Sequence, residues 1–136
     1  MKISLHHAHL FASNIDKSIQ FYCDMFGAEV LFDLKMAGAR NVMIKIGNSR
    51  INFYDQSPKE QGKGAVHHLG IETENLEELV AHMKSKGFVF IKSIKNLGVF
   101  RYIMAEGPDH VLFELFEVVK ARLSEDQHKL ISSLPL

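Results

Sequence analysis

The hydrophobic pattern predicts a strand, an amphipathic helix and three more strands in the first half of the chain. Residues 3–12 alternate between two faces, as a strand does. The helix that follows begins at a cap, Ser13 or Asn14, carries apolar residues every three to four positions, and ends at Gly27. Glycine-containing turns then separate the runs EVLFDLKM, NVMIKIG and RINFYDQ. The predicted order is βαβββ.

The second half of the chain repeats this pattern. VHHLGIET predicts a strand, Asn75 caps a helix that Gly87 closes, and FVFIKSI, RYIMA and HVLFELFE predict three more strands. The pairs His6/His67, His7/His68 and Asn14/Asn75 are each separated by 61 residues, and Gly27/Gly87 by 60. Four landmarks in one register indicate an internal duplication.

The duplication defines the predicted organisation of the chain. We expect an α+β fold, a single domain over residues 1–136 that contains two tandem βαβββ modules, at about 1–56 and 66–117. Residues 57–65 have the composition of a linker. The segment from about 118 to 133 is predicted to form an amphipathic helix with Leu123, His128 and Ile131 near one stripe, for packing or dimer contact.

Composition excludes several classes of protein. The 136 residues include sixteen basic and sixteen acidic side chains, and the basic ones are scattered, which disfavours nucleic acid and anionic membranes as partners. No run approaches the roughly 18 apolar residues of a membrane span. A single cysteine, Cys23, cannot form an internal disulfide and is expected to be a small core residue. These features predict a soluble, unprocessed, cytoplasmic protein.

Candidate chemistry lies on the strand faces that turn away from the helices. The polar residues on those faces are His7 and His9 of the first strand, Asn52 and Tyr54 of the fourth, His68 and Glu72 of the fifth, and Glu114 of the eighth. Four of them occupy repeat-related positions. Modules folded side by side would gather these four about a pseudo-twofold axis: His7, Asn52, His68 and Glu114.

Two imidazoles and one carboxylate are suitable ligands for a divalent ion such as Zn, Ni, Fe or Mn, with coordination positions left open. A single strand histidine is more often hydrogen-bonded in a core. Here the repeat, together with a carboxylate inside the apolar run LFELF, favours the metal hypothesis. His6 and His67 are the alternative ligands, because a one-residue slip in register would exchange the faces.

The motifs together resemble the vicinal oxygen chelate superfamily of glyoxalases and related enzymes. They are HAHLFASN followed by IDKSIQFYCDMFG, then HLGIETEN, then GVFRYIMAEGPDHVLFELFE, and the resemblance covers residues 3–117. It implies a curved mixed sheet around a central cleft. It also implies that the metal ligands are His7, His68 and Glu114, and that the protein is a homodimer with a small-molecule substrate. Whether one chain or two complete the site stays open.

Two positions depart from the family pattern. The family turn Asp-Pro-Asp-Gly is replaced by Gly107-Pro108-Asp109-His110. At Asn52, glyoxalase I enzymes often have Glu and methylmalonyl-CoA epimerases usually Gln. An amide cannot abstract a carbon-bound proton at neutral pH, so glyoxalase isomerisation would lack one of its two carboxylates. The extradiol dioxygenases take all three ligands from one module, which disfavours that reaction here.

Three functional hypotheses follow from the resemblance. The first is a metal-dependent lyase, isomerase or transferase acting by Lewis-acid catalysis on a small oxygen-chelating substrate, with Glu114 also serving as catalytic base. In this hypothesis the substrate contacts are His9, Asn52, Tyr54, Glu72 and Arg101, and Arg101 would pair with a substrate anion. The second is a non-catalytic small-molecule binder like the bleomycin-resistance proteins. The third is a regulatory module with an inactive site.

Overall fold

The computed structural model describes residues 1–60 and 64–132, with the backbone alone for 130–132. The chain divides into two compact units, Met1–Lys63 and Gly64–Leu136. The first contains β1 (Ala8–Phe11), α1 (Ile15–Phe26), β2 (Glu29–Met36), β3 (Ala39–Ile46) and β4 (Ser49–Tyr54). The second contains β5 (Leu69–Glu72), α2 (Leu76–Ser85), β6 (Lys95–Asn96), β7 (Phe100–Glu106), β8 (Leu112–Val118) and α3 (Glu125–Ser132).

Each unit has one four-stranded mixed sheet, and the two sheets share one topology. The strand orders are β1-β4-β3-β2 and β5-β8-β7-β6. In both sheets the first strand pairs in parallel with the last, and the other neighbours are antiparallel. The α+β class and the repeated βαβββ order are therefore confirmed. The parallel pairing requires a crossover, which the helix of each unit supplies.

Both helices begin at the predicted asparagine caps. The Lys17 amide donates to Asn14 Oδ1 at 3.1 Å, and the Glu78 amide donates to Asn75 Oδ1 at 3.1 Å. Such a cap contributes about 1 kcal/mol relative to alanine. The first helix ends at Gly27, whose φ of 64° is left-handed.

The core of each unit lies between its helix and one face of its sheet. In the first unit the rings of Tyr22 and Phe53 pack edge to face, 4.9 Å apart, and both residues are buried. In the second, Leu76 and Met83 of α2 are buried, as are Phe113 and Leu115 of β8. Each such apolar side chain contributes about 1.5–3 kcal/mol by leaving water. This packing fixes which face of each sheet stays available for polar chemistry.

Several boundaries differ from those predicted by the pattern. The first strand begins at Ala8, so His7 lies immediately before it. The run FVFIKSI forms no strand; β6 is the two-residue segment Lys95–Asn96, because ladder pairing with β7 involves only those two residues. Val89 and Ile91 of that run are exposed. The pattern registered the alternation of side chains but could not show where a backbone partner was present.

The C-terminal helix is also shorter than predicted. Strand β8 extends to Val118 and a single 3₁₀ turn follows, so α3 begins only at Glu125. The side chain of Ile131, residue 133 of the predicted helix and residues 61–63 of the predicted linker lie outside the described residues. Within the described residues no helix is long and apolar enough to cross a membrane.

Candidate functional site

In the second unit, two predicted metal ligands lie next to each other. His68 precedes β5 and Glu114 lies in the middle of β8, and His68 Nε2 is 3.5 Å from Glu114 Oε2. Both side chains are partly accessible, at 33% and 28% exposed. Phe113 and Leu115 on either side of Glu114 face the helix and are buried. Alternation along β8 therefore presents Glu114 on the opposite, open face.

The separation of these two atoms fits shared coordination of one ion. Two donors bound to one cation at about 2.1 Å lie about 3.0 to 3.4 Å apart in octahedral or tetrahedral geometry. The observed 3.5 Å between His68 Nε2 and Glu114 Oε2 is close to that range. Space is available as well, because Gly70 is the register partner of Glu114 and has no heavy atom within 4 Å of the position its Cβ would take. These two donors therefore have the spacing of two neighbouring positions in the coordination of one divalent ion.

Adjacent histidines pair in both units. Nδ1 of His6 and Nδ1 of His7 are 2.9 Å apart, and Nδ1 of His67 and Nδ1 of His68 are 2.8 Å apart. Since His68 turns its Nε2 towards Glu114, its Nδ1 is the atom that faces His67. A second group on Nδ1 fixes ring orientation, as the outer partners of ligating histidines do. In the first unit, His6 holds the ring of His7 in the same way.

In the first unit, His7 lies near a group of polar side chains on the sheet. The rings of His7 and His9 are 6.2 Å apart. His9 is the register partner of Asn52, whose Nδ2 lies 3.4 Å from His9 Nε2. The ring of Tyr54 contacts His9 edge-on at 5.4 Å, and the Tyr54 hydroxyl donates to the Ala37 carbonyl. Three of the predicted substrate contacts, His9, Asn52 and Tyr54, are thus together.

Asn41 also belongs to this group, although no motif in the sequence pointed to it. Its Oδ1 accepts a hydrogen bond of 2.9 Å from Asn52 Nδ2, and both side chains are buried. The available signal was an uncharged polar residue at the start of NVMIKIG, a run that is mostly apolar. Buried amides need partners, so two asparagines on neighbouring strands were candidates to pair.

Arg101 lies on the opposite face of its sheet from Glu114. Its register partner is Glu117, and its guanidinium forms ion pairs with Glu117 and with Glu77 in the first turn of α2. The hydrogen bond from Arg101 lowers the pKa of the Glu77 carboxyl below its usual value and raises that of the guanidinium. The structure therefore does not bring Arg101 together with the candidate ligands.

The first unit contains one equivalent ion pair, between an arginine of its third strand and the first turn of its helix, 61 residues earlier. Arg40 donates to Asp16 in the first turn of α1 at 2.9 Å and to Asp33 of β2 at 2.8 Å. The hydrogen bond from Arg40 lowers the pKa of Asp33. A repeated link between the third strand and the helix favours a structural role for both arginines. The sequence signal was the common offset of Arg40/Arg101 and Asp16/Glu77.

Glu72 and Cys23 belong to neither of the two groups of polar residues described so far. Glu72 is exposed at the end of β5, with Phe116 as its register partner. Burial, the larger cause, and the charge of Asp24 raise the pKa of the Cys23 thiol, which agrees with an inert, partly buried side chain. Across the described part of the chain, no three His, Cys, Asp or Glu side chains lie close enough together to hold a metal. The observed elements are the His68–Glu114 pair and the polar group around Asn52.

Fold and face chemistry define a class: paired βαβββ units whose open sheet faces carry histidines, a carboxylate and amides. Comparison with known proteins then identifies the family. The model of the Glyoxalase/Bleomycin resistance protein/Dioxygenase superfamily matches residues 4–115. The chain belongs to this superfamily.

Individual relatives are more distant. A trivalent organoarsenical cleaving enzyme from Bacillus sp. (strain MD1) is 38% identical over 77 residues, which are 56% of this chain and 45% of the relative. Mitochondrial methylmalonyl-CoA epimerase from Dictyostelium discoideum is 24% identical over 105 residues, which are 69% of this chain and 63% of the relative. The chain thus spans about half to two-thirds of the length of these two relatives.

Solved structures share the fold. FosX, a genomically encoded fosfomycin resistance protein from Listeria monocytogenes, has a TM-score of 0.72 at 22% identity, covering 90% of this chain and 100% of FosX. A second FosX structure, which is complexed with Mn(II) and a sulfate ion, has a TM-score of 0.65 at 18% identity, covering 95% of this chain and 99% of FosX. At these identities the likeness extends to the fold.

Proposed function

We propose that this protein is a divalent-metal-dependent enzyme of its superfamily, with His7, His68 and Glu114 as the metal ligands. The observation that carries the proposal is the 3.5 Å approach of His68 Nε2 to Glu114 Oε2 on an open sheet face. The Mn(II) bound in FosX supports a divalent ion of the Zn, Ni, Fe or Mn type. When bound, the ion would supply Lewis-acid polarisation of a carbonyl or hydroxyl oxygen.

The residues of this chain restrict the reaction. Asn52 is neutral and cannot act as a base, so Glu114 is the one carboxylate of the proposed ligand set. Released from coordination, the Glu114 carboxylate would act as the base and accept a proton from the substrate. His9, Asn52, Tyr54 and Glu72 would contact the substrate, with Asn52 placed next to the cation as well as the substrate. A lyase, isomerase or transferase step that uses one base fits this set better than an isomerisation that uses two.

Metal content is the direct test of the ligands. Protein purified without chelators should contain about one divalent ion per chain by elemental mass spectrometry, the stoichiometry of a single closed donor set. His68→Ala and Glu114→Gln should lose that ion, since each removes one donor. The matched control is His82→Ala, at an exposed histidine on α2, and it should retain the metal. Wild-type protein without metal, or full metal content in His68→Ala, would reject the proposal.

Activity is tested separately from metal binding. The relatives suggest two assays, cleavage of a trivalent organoarsenical and epimerisation of methylmalonyl-CoA. Hemithioacetal and epoxide substrates complete the panel for the superfamily. Turnover that disappears in Glu114→Gln supports the enzyme. Bound metal without turnover of any of these would instead indicate a regulatory module.

One observation favours a second function, a non-catalytic small-molecule binder. The polar group of the first unit, His9, Asn41, Asn52 and Tyr54, contains hydrogen-bonding groups and no carboxylate. Such groups can orient a ligand without chemistry. A binder would keep its ligand affinity in Glu114→Gln and after removal of metal by a chelator, whereas the proposed enzyme would not.

We also propose that the protein is a cytoplasmic homodimer. Strand β2 is one of the two edge strands of its sheet, and Leu31, Leu34 and Met36 on it are exposed. Exposed apolar edge strands are usually covered by a partner or protected by charge. Light scattering coupled to gel filtration should give twice the mass of one chain, and a monomeric mass would reject the dimer.

A further inference from the structure

The Asn52 side chain donates two hydrogen bonds on the face of the first sheet that lies opposite α1. Its Nδ2 donates to Asn41 Oδ1 at 2.9 Å and lies 3.4 Å from His9 Nε2. An amide nitrogen carries two hydrogens and no acceptor. Both hydrogens are therefore used, and His9 accepts through Nε2. Asn52 is 5% exposed, so solvent does not compete for these bonds.

The orientation of both amides is fixed by the backbone. Asn41 Nδ2 donates to the carbonyl oxygens of Met36 and Ala39, at 3.2 and 3.3 Å. Carbonyl oxygens can only accept, so Asn41 must turn its nitrogen towards them and its oxygen towards Asn52. Asn52 must in turn present its nitrogen to Asn41. The hydrogen-bond network thus determines which end of each amide is which.

One atom remains. Asn52 Oδ1 is buried and accepts no hydrogen bond within the residues that the structure describes. A buried acceptor without a donor is unfavourable, and in native proteins it commonly marks a bound water, a bound ion or a functional group. Because His9 is the register partner of Asn52, and His7 lies two residues before it, this oxygen belongs to the sheet face of the candidate site.

We propose that Asn41 is a positioning residue for the metal site: it holds the Asn52 amide so that the oxygen is the end offered to the cation. The presence of a cation rests on the proposed function. The orientation of the Asn52 amide rests on the hydrogen bonds alone. Asn41 touches neither cation nor substrate in this scheme. It acts by engaging Asn52 Nδ2 and so prevents the amide from rotating by 180°.

The second unit shows why such a residue is needed in the first. The repeat equivalents of Asn41 and Asn52 are Tyr102 and Glu114, and Glu114 has Gly70 and Met104 as register partners. A carboxylate presents an acceptor oxygen in either orientation, whereas an amide has only one oxygen. An amide can therefore take the place of a carboxylate near a cation only if a neighbour directs it. Asn41 is that neighbour.

A double-mutant cycle tests this role with Mn²⁺ alone as the probe. Asn41→Ala should weaken Mn²⁺ binding on the order of tenfold, which is typical for loss of an outer partner of a metal ligand. Asn52→Ala should weaken it at least as much. The double variant should bind Mn²⁺ no worse than Asn52→Ala, because Asn41 acts only through Asn52. An equal loss from Asn41→Ala in both backgrounds would mean a merely structural role and would overturn the inference.

A conservative variant distinguishes positioning from packing. Asn41→Asp keeps an acceptor for Asn52 Nδ2 but loses the bonds to Met36 and Ala39, so it should lower stability and leave Mn²⁺ affinity close to wild type. Asn52→Asp leaves the bonds from Asn41 to Met36 and Ala39 in place but removes the donor to Asn41 Oδ1, so a carboxylate oxygen then faces that oxygen. It should lower the urea midpoint of the metal-free protein by more than Asn52→Ala does. Equal urea midpoints for Asn52→Asp and Asn52→Ala would contradict the fixed orientation.

A final measurement needs no metal and separates this inference from the proposed function. In wild-type protein the Asn52 side-chain amide protons, seen by ¹⁵N NMR, should exchange slowly with water, and in Asn41→Ala they should exchange faster. If wild-type protein binds no Mn²⁺, the proposed function fails, and slow exchange in wild type alone would still support the positioning. Equal exchange rates in the two proteins would overturn it.

Discussion

Asp109 and His110 adopt left-handed backbone conformations between β7 and β8, with φ values of 57° and 60°. Aspartate tolerates this region better than most residues, but histidine has a Cβ that crowds the following carbonyl. Glycine occupies the last position of this turn in the family pattern, and here His110 replaces it. The His110 ring pairs with the exposed Glu106, which offsets part of the cost.

His110→Gly should therefore stabilise the protein. Relief of the left-handed conformation gains about 1–2 kcal/mol, and the extra freedom of glycine in the unfolded chain costs about 0.5–1 kcal/mol, so the net gain should be up to about 1.5 kcal/mol before the loss of the Glu106 contact. Urea unfolding followed by circular dichroism measures it, since the chain has no tryptophan. Gly27→Ala is the reciprocal control: at φ 64° with open space around a Cβ, it should destabilise. A loss of stability in His110→Gly would show that the Glu106 contact dominates.

At the level of single residues, sequence reasoning succeeded where the repeat supplied a second observation. His68 and Glu114 were expected on one face, and they lie 3.5 Å apart. It failed for Asn41, because the significance of a buried amide depends on which residue faces it across the sheet. The Asn41–Asn52 pairing crosses two strands and depends on a register that side-chain alternation alone does not give.

Each helix is connected to the third strand of its unit by an arginine. Arg40 links α1 to β3, and Arg101 links α2 to β7. These connections run beside the apolar cores, and the Arg101–Glu117 contact is the more buried, with Glu117 14% exposed. Removal of Arg101 would leave Glu117 partly buried without its cation, which is more costly than the loss of an exposed pair.

Arg101→Met should lower the thermal midpoint of unfolding by a few degrees. It should also make that midpoint fall less when the solution is acidified. Arg101 lowers the pKa of Glu77 from its usual 4.5 in the folded state. A depressed folded pKa contributes stability that is present above about pH 4.5 and is lost as pH falls through the folded value. Wild type should therefore lose more stability than Arg101→Met between pH 6 and pH 3. Parallel pH profiles for the two proteins would refute the link.

Elements were predicted well where two signals agreed. The helices had both an apolar stripe and an asparagine cap, and both caps are observed. FVFIKSI had alternation alone, and its apolar residues include the exposed Val89 and Ile91. A strand needs a hydrogen-bonding neighbour, and β6 pairs with β7 at only two positions. The C-terminal helix was similarly predicted to begin at about residue 118, but Val118 is still paired in the sheet as the end of β8.

The duplication is the feature of the whole chain that sequence alone established most firmly. Both units have the same strand order, the same caps and the same arginine link, which shows that the repeat preserves architecture. On the sheet faces opposite the helices, two repeat-related pairs differ in chemistry: Asn52 against Glu114, and His9 against Gly70. The helices diverge as well, for example at Ser18 and Leu79, so the repeat preserves the architecture while the side chains of each unit have changed separately.

Because the proposed ligands come from both units, metal binding should stabilise both. Free Mn²⁺ at 100 times its dissociation constant adds about 2.7 kcal/mol to a state that binds one ion. Hydrogen exchange should then slow in peptides covering β1 and β4 as well as in those covering β5 and β8. His7→Ala should reduce the Mn²⁺-induced protection of the first unit, because it removes the proposed histidine ligand of that unit. Protection restricted to the second unit in wild type would mean that His68 and Glu114 bind the ion without His7.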